Sequence, residues 1–411
     1  MKNFSPVRAM PIPSSKPAAL LLPSLLLALA GQAAAHETVA PAEDRLSISG
    51  GFGLMSLHAD EPYPAPRLPG VLEAGSPRAD ERRDGLDYAE IALRARFSDA
   101  LRGFLKVAHH GGPDSSNHTE EAWLEGRVAP AHDHVATLRV GRQLLPLGLL
   151  NPIHVHARDF GISPLAMRGA VNDYWRADGV RSDWNHPAGW SLGVGAWRNQ
   201  SFPGADAGGF KLLTARAGWK NEAVQIEAGY ANVNADGRAL VTTGSAGHTH
   251  SLPSCTRITT DRVCFDGTAQ LLSLAARWAP ADSPLWVGAE WWYKREEGRL
   301  DSINGAPAYT GKLNGGWVDV GWRLAPGWEV IGRAERLVGR HHLAGVNAGL
   351  VATQTGLTDA DRKPSSLGAV IKWRPLDGHR ITAEWHRERD GTTNNTVYLL
   401  RYQFTFAKGL L

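Results

Sequence analysis

His154 and His156 stand two residues apart in the stretch Gly141–Arg176, followed by Arg158 and Asp159, then Arg168, Asp173 and Arg176, with Asp178 just beyond. On an extended backbone, residues two apart face the same way. Both imidazoles can then address one ion, and Asp159 can add an oxygen. Imidazole and carboxylate together suit zinc, nickel or copper. His248 and His250 repeat the spacing beside Cys255 and Cys264, and the pairs His109–His110 and His341–His342 add further imidazoles. A His-x-His pair supplies only two ligands, so the competing reading is loop histidines that pack and hydrogen-bond. Hydrolytic chemistry finds less support. The chain has no H-E-x-x-H and no phosphate-cradling glycine loop, and Ser163 before Pro164 reads as a turn. No enzyme activity is expected.

The same stretch is too apolar for a solvated loop. Leu144, Leu145, Leu147, Leu149, Leu150, Ile153 and Phe160 need a surface to pack against. The economical solution folds residues 143–175 against a surrounding wall, where the charged groups would narrow a passage.

The wall is legible as a rhythm. Sixteen amphipathic segments follow one another at 46–55, 86–97, 101–110, 119–129, 134–142, 176–184, 189–199, 210–220, 223–233, 268–279, 284–294, 314–324, 328–338, 365–374, 380–389 and 395–406. Between Tyr88 and Phe97, one face carries Ala89, Ile91, Leu93, Ala95 and Phe97, and the other carries Glu90, Arg94 and Arg96. Glu121–Ala129 alternates in the same way. Segments of about ten residues cross a bilayer at a tilt. The charges recurring inside them, among them Lys106, Arg139, Glu290, Lys294, Arg333 and Glu335, suit a water-filled lumen better than a dry core. Fifteen tryptophans fit a membrane interface, with Trp278, Trp286, Trp317, Trp322, Trp328 and Trp373 near segment ends. The mean hydropathy of -0.26 does not oppose this, because only alternate residues meet lipid.

Short turns such as 98–100, 185–189, 220–221, 325–327 and 375–378 alternate with long connections at 56–85, 111–118, 143–175, 200–208, 234–267, 295–313, 339–364 and 390–394. In membrane barrels the short turns are periplasmic and the long loops external. The expected fold is therefore an all-β, transmembrane antiparallel β-barrel of about 16 strands, with 143–175 as an inward-folded third external loop. Residues 1–35 read as a secretory signal with Lys2, Arg8 and Lys16, an apolar run and Ala33–Ala35 before the cut. Residues 36–45 form a short periplasmic segment and 46–411 the barrel. Removing the leader leaves 41 basic and 41 acidic residues, which gives no electrostatic argument for nucleic acid. In an exported chain Cys255 and Cys264 are expected to form a disulfide.

In its layout the whole chain after residue 36 resembles bacterial outer-membrane porins and is similar to the sixteen-stranded families, including phosphate-selective-porin-like proteins. The motif-like part is Gly141-Arg142-Gln143 through Pro146-Leu147-Gly148, His154-Val155-His156 and Ala177-Asp178-Gly179-Val180. The resemblance implies an outer-membrane location and passive diffusion of small hydrophilic solutes or ions. It also implies contact with lipid and lipopolysaccharide, and either a homotrimer or a monomer. The constriction is expected from Arg94, Arg96, Lys106, Glu125, Arg127 and Arg139 on the wall. Facing them are His154, His156, Arg158, Asp159, Arg168, Asp173, Arg176 and Asp178. Opposed charges across a narrow pore orient polar solutes; equally, they can pair and hold the loop. Phosphate-selective relatives cluster lysine and arginine in the constriction, whereas here Arg158 and Arg168 are offset by Asp159 and Asp173. A weakly selective channel is therefore expected, with no cofactor beyond a candidate divalent metal. The alternatives are a metal- or partner-binding barrel without an open pore, or a zinc-related uptake channel.

Overall fold

The computed structural model describes residues 44–63, 68, 71–72, 80–111, 116–128, 135–198, 201–205, 209–241, 255, 258–260, 262–359, 363–391 and 393–410. The leader and the pair His248/His250 lie outside these. The strands are β1 (Leu46–Tyr63), β2 (Asp80–Arg96), β3 (Leu101–His110), β4 (Ser116–Val128), β5 (Val135–Leu144), β6 (Arg176–Asn185), β7 (Trp190–Arg198), β8 (Phe210–Lys220), β9 (Val224–Asn234), β10 (Arg238–Val241), β11 (Arg262–Trp278), β12 (Leu285–Asp301), β13 (Ala308–Ala325), β14 (Trp328–Ala344), β15 (Ser365–Trp373), β16 (His379–Arg389) and β17 (Asn394–Gly409). Two short helices, α1 (Leu165–Val171) and α2 (Ala348–Gln354), lie in the connections.

Every pairing is antiparallel between neighbours, and β1 pairs with both β2 and β17, so the sheet closes on itself. Among the described residues β10 pairs with β11, at Arg238–Val241, on the line that β9 leaves at Asn234. The wall therefore has sixteen staves, one of them interrupted. Closure removes the unpaired edges that an open sheet would expose in lipid.

Side-chain alternation sorts the two faces. Leu93, Leu105, Val107, Leu124, Leu138, Val140, Leu192, Val194, Leu213, Ile226, Val318 and Ile371 are exposed on the outside. Trp184, Trp190, Trp278, Trp322, Trp328 and Trp373 are also exposed, near the short-turn ends, as an interfacial girdle requires. Trp286 and Trp317 depart from the expected girdle. Their positions in the alternation turn them inward, where they are buried, and the Trp286 indole donates to Glu329 at 2.6 Å. At Gly189 the φ of +90° and a Lys220 carbonyl 2.0 Å from any added Cβ require glycine in that tight turn.

Several strands run beyond their expected ends on the side of the long connections, as in β1 to Tyr63, β12 to Asp301 and β14 to Ala344. Both faces of these extensions carry polar groups, so the alternation that marks the lipid-facing part fades. β10, inside the expected loop 234–267, was missed for a related reason: four residues are too few to display a period. Cys255 and Cys264 are joined, with Cα atoms 5.7 Å apart.

Candidate functional site

The excursion between β5 and β6 is pinched at its base. Leu145 N–H donates to the Trp175 carbonyl at 2.9 Å. The buried Asn151 amide donates to the carbonyls of Leu145 and Trp175, and its oxygen accepts Trp175 N–H at 2.7 Å. Arg158 braces the interior: its guanidinium donates to the Ile153 carbonyl, Ser163 Oγ and the Asp173 carbonyl at 3.1, 2.7 and 3.1 Å. Pro164 opens α1, and Asn172 and Asp173 leave it with φ of 55° and 80°, the left-handed turn that Asn and Asp tolerate. A short 3₁₀ turn, Val155–Ala157, follows His154.

This segment is bonded to staves far away in sequence. Leu149 and Leu150 N–H groups donate to Glu290 on β12 at 3.0 and 3.2 Å. Gly161 N–H donates to Glu384 on β16 at 2.9 Å, and Leu165 N–H to Glu335 on β14 at 2.7 Å. Arg168 pairs with Glu388 and Asp159 with Lys372. Burial alone would raise the Asp159 carboxyl, but the Lys372 ammonium beside it draws it down to about 2. The apolar side chains Leu145, Leu147, Leu165, Met167, Val171 and Trp175 join one buried cluster with Trp292, Leu313, Trp317 and Leu337 of β12–β14. Phe160 packs with Trp286, Ile331 and Val370.

The staves β3–β8 carry a different surface. Arg102, Glu125, Arg139 and Arg181 stand opposite one another in register on β3, β4, β5 and β6. Glu125 accepts from Arg102 at 2.7 Å and from Arg139 at 2.6 Å, and the Arg139 guanidinium lies 3.9 Å from the Trp123 ring centroid. Asp183 joins Arg181 at 2.6 Å and Arg216 at 2.8 Å. The second bridge spans β7 because Gly193 leaves room; a Cβ there would sit 2.6 Å from Asp183 Oδ1. Arg139, Arg181 and Arg216 keep 21%, 13% and 17% of their side-chain surface exposed.

The third feature is a histidine cluster at the long-connection end of β3 and β4. A register shift between Lys106 and Val107 leaves Glu120 as the extra residue in β4, a bulge that re-aims side chains. His110 Nε2 lies 3.0 Å from Glu120 Oε1, and His118 Nε2 contacts the same oxygen. The His110 and His118 rings stack at 4.7 Å with 4° between planes. From the excursion, His154 Nε2 comes within 3.1 Å of Glu120 Oε2, which Arg176 also reaches. Burial, with the Lys106 charge adding to it, lowers His154 to about 4, so its ring is neutral at pH 7. His156 stacks on Tyr88 at 3.8 Å, with Nδ1 3.8 Å from Asp87. His110, His118 and Glu120 bring their ligand atoms within 4.8 Å of one another, a triad able to hold a divalent metal.

Of the residues singled out in sequence, Glu125 and Arg139 meet in the register row, while Lys106 pairs with Glu90 at 3.1 Å. Arg94 lies 5.6 Å from the Phe104 ring, and Arg96 and Arg127 are exposed. Asp178 forms a two-pronged bridge to Arg142. His154 and Arg176 meet at Glu120, whereas Asp159 is drawn away to Lys372 and does not join the histidines. Sequence reasoning missed His118, Glu120, Arg181, Asp183, Arg216, Glu384 and Glu388. His118-x-Glu120 and Arg181-x-Asp183, each two apart on a strand, were the available signals.

No family model and no curated sequence matches the chain. Solved structures do resemble it. A loop-L8 deletion mutant of OmpT, an outer membrane protein of Vibrio cholerae, shares 12% identity at a TM-score of 0.58, over 88% of this chain and 99% of that one. An anion-selective porin from Comamonas acidovorans shares 11% at 0.56, over 89% and 100%. In-vitro folded Vibrio cholerae OmpT in trimer form shares 9% at 0.52, over 88% and 99%. At such identities the likeness carries the fold alone: a closed sixteen-stave antiparallel barrel, as in those outer-membrane proteins. Its apolar outer band and tryptophan girdle are those of a membrane-spanning barrel.

Proposed function

We propose that the chain is a passive channel for small hydrophilic solutes or ions, with residues 143–175 folded inward as the third external loop to narrow the lumen. The observation that carries this is the set of four backbone N–H groups, of Leu149, Leu150, Gly161 and Leu165, given to three carboxylates on β12, β14 and β16. A segment that leaves β5, returns at β6 and bonds to those staves crosses the interior. It leaves the arginine-lined staves β3–β8 as the wall of the remaining passage. Diffusion down the solute gradient needs no catalytic step.

Arg139, Arg181 and Arg216 line that passage, with Glu125 and Asp183 partly compensating them, so selectivity is weak and leans toward anions. Strong phosphate selectivity is not proposed, because Arg158 and Arg168 are consumed in holding the loop. A trimer is the proposed assembly, on the analogy of the Vibrio protein. A second reading, a barrel closed by its loop and serving to bind a partner, draws on the apolar cluster around Leu145, Met167, Trp175 and Trp292. Conductance in planar bilayers separates the two: discrete open-channel steps support the channel, and a sealed lumen supports the second.

A further inference from the structure

We propose that His110, His118 and Glu120, with His154 as the fourth ligand, bind one divalent transition-metal ion of the zinc class, and that the ion ties the constriction segment to the β3–β4 hairpin. The coupling to the pore rests on the channel reading above; the metal site itself does not.

Three histidines and one carboxylate from two separate parts of the chain converge here. The stacked rings of His110 and His118 turn the same edge, carrying Nε2, toward one oxygen of Glu120. His154 brings its Nε2 to the other oxygen. Three imidazole nitrogens and one carboxylate oxygen make a four-ligand set that zinc accepts tetrahedrally, with metal–ligand distances of about 2.0–2.2 Å. Calcium and magnesium prefer all-oxygen shells, which this set does not offer.

The β3 and β4 ligands already lie within 4.8 Å of one another. His154 lies on the excursion, so drawing it onto the ion moves or fixes that segment relative to the wall. Without metal, Glu120 is bonded to His110 and His118 through Oε1 and to Arg176 through Oε2, while the buried His154 Nε2, 3.1 Å from Oε2, has no hydrogen-bond partner among the described residues. With metal, each imidazole would offer its Nε2 lone pair to the ion. Arg176 can keep its hold on Glu120 Oε2. The unpartnered His154 nitrogen is the ligand an ion would recruit from the excursion.

The test is calorimetric titration of zinc into the full refolded barrel after chelator treatment, with heat-modifiable gel migration as the check of folding. The expected result is one ion per barrel. His110→Ala and His118→Ala should weaken binding about tenfold or more. His109→Ala, on the opposite face of β3 beside Asn117, should leave it unchanged. Cobalt in place of zinc should give the visible bands of a tetrahedral site in the wild-type protein, a readout independent of any variant. In bilayers, zinc should change the conductance of wild type and not of His154→Ala. Absence of a stoichiometric ion, or equal binding by both β3–β4 variants and wild type, overturns the site. Equal zinc responses of wild type and His154→Ala overturn the clamp. Conductance measured in chelator tests the channel reading separately: an open pore that binds no zinc refutes only the metal site, and a sealed barrel that binds zinc refutes only the channel.

Discussion

Replacing Glu290 should loosen the constriction at one identifiable point. Glu290 Oε2 accepts the N–H groups of Leu149 and Leu150 at 3.0 and 3.2 Å, while Oε1 accepts the Trp292 indole N–H at 2.7 Å. Alanine removes the acceptor from all three. A buried N–H left unsatisfied costs about 1–3 kcal/mol, and lumen water can reach part of the site, so a loss of about 3 kcal/mol in docking is expected. At about 1.4 kcal/mol per tenfold, the docked-to-undocked ratio of segment 148–150 falls by about two orders of magnitude. Glu290→Gln should do less, because its one amide oxygen can serve the backbone pair or the indole but not both. The assay is single-channel recording combined with limited trypsin digestion, since cleavage after the buried Arg158 and Arg168 reports loop release. The alanine variant should show larger, noisier openings and faster cleavage, with the glutamine variant between it and wild type. If both variants match wild type in current, noise and protease resistance, Glu290 does not anchor the loop.

Other consequences follow from the same contacts. Neutralising Arg139 and Arg181 together should move the reversal potential toward cation preference, whereas neutralising the loop brace Arg158 should change stability more than selectivity; the measurement is a salt-gradient bilayer experiment. Val140→Arg places a charge on the lipid face of β5 and should cost about 2–4 kcal/mol of folding free energy if it lies near the bilayer midplane, read by urea titration in vesicles. The Asp159 carboxyl is depressed to about 2 in the folded chain. Its contribution is therefore complete above the ordinary aspartate pKa of about 4 and is lost as pH falls through about 2, so loop release should begin only in that acid window for the wild type, read by limited pepsin digestion. Opening the Cys255–Cys264 bridge frees a short ring and should remove about 2–3 kcal/mol of unfolding stability while leaving the open-channel current unchanged.

The wall was readable because its physics is local. Period-two alternation in Leu101–His110 and Phe210–Lys220 marks both strands to the residue, since each position meets either lipid or lumen. Where strands rise past the lipid band, as in Leu285–Asp301, both faces meet water and the pattern dissolves. The inward-facing partners were unreadable for another reason. Gly161 finds Glu384 across 223 residues, and nothing in either neighbourhood announces the other. The histidines were half visible: His154 and His156 drew attention through their spacing, and His110 through its pair. Glu120, where His110 and His154 meet, depends on a one-residue bulge against Lys106 and Val107, which a strict alternation conceals. Asp159, adjacent in sequence to the expected ligands, is captured instead by Lys372.

The central claim is that this barrel conducts through a lumen narrowed, not closed, by residues 143–175. Single-channel conductance of the refolded wild-type protein, recorded in chelator with a salt gradient, tests it most directly. Discrete, ohmic openings with a weak anion preference are predicted. A membrane that stays sealed, although gel migration shows the barrel folded and inserted, would contradict the account.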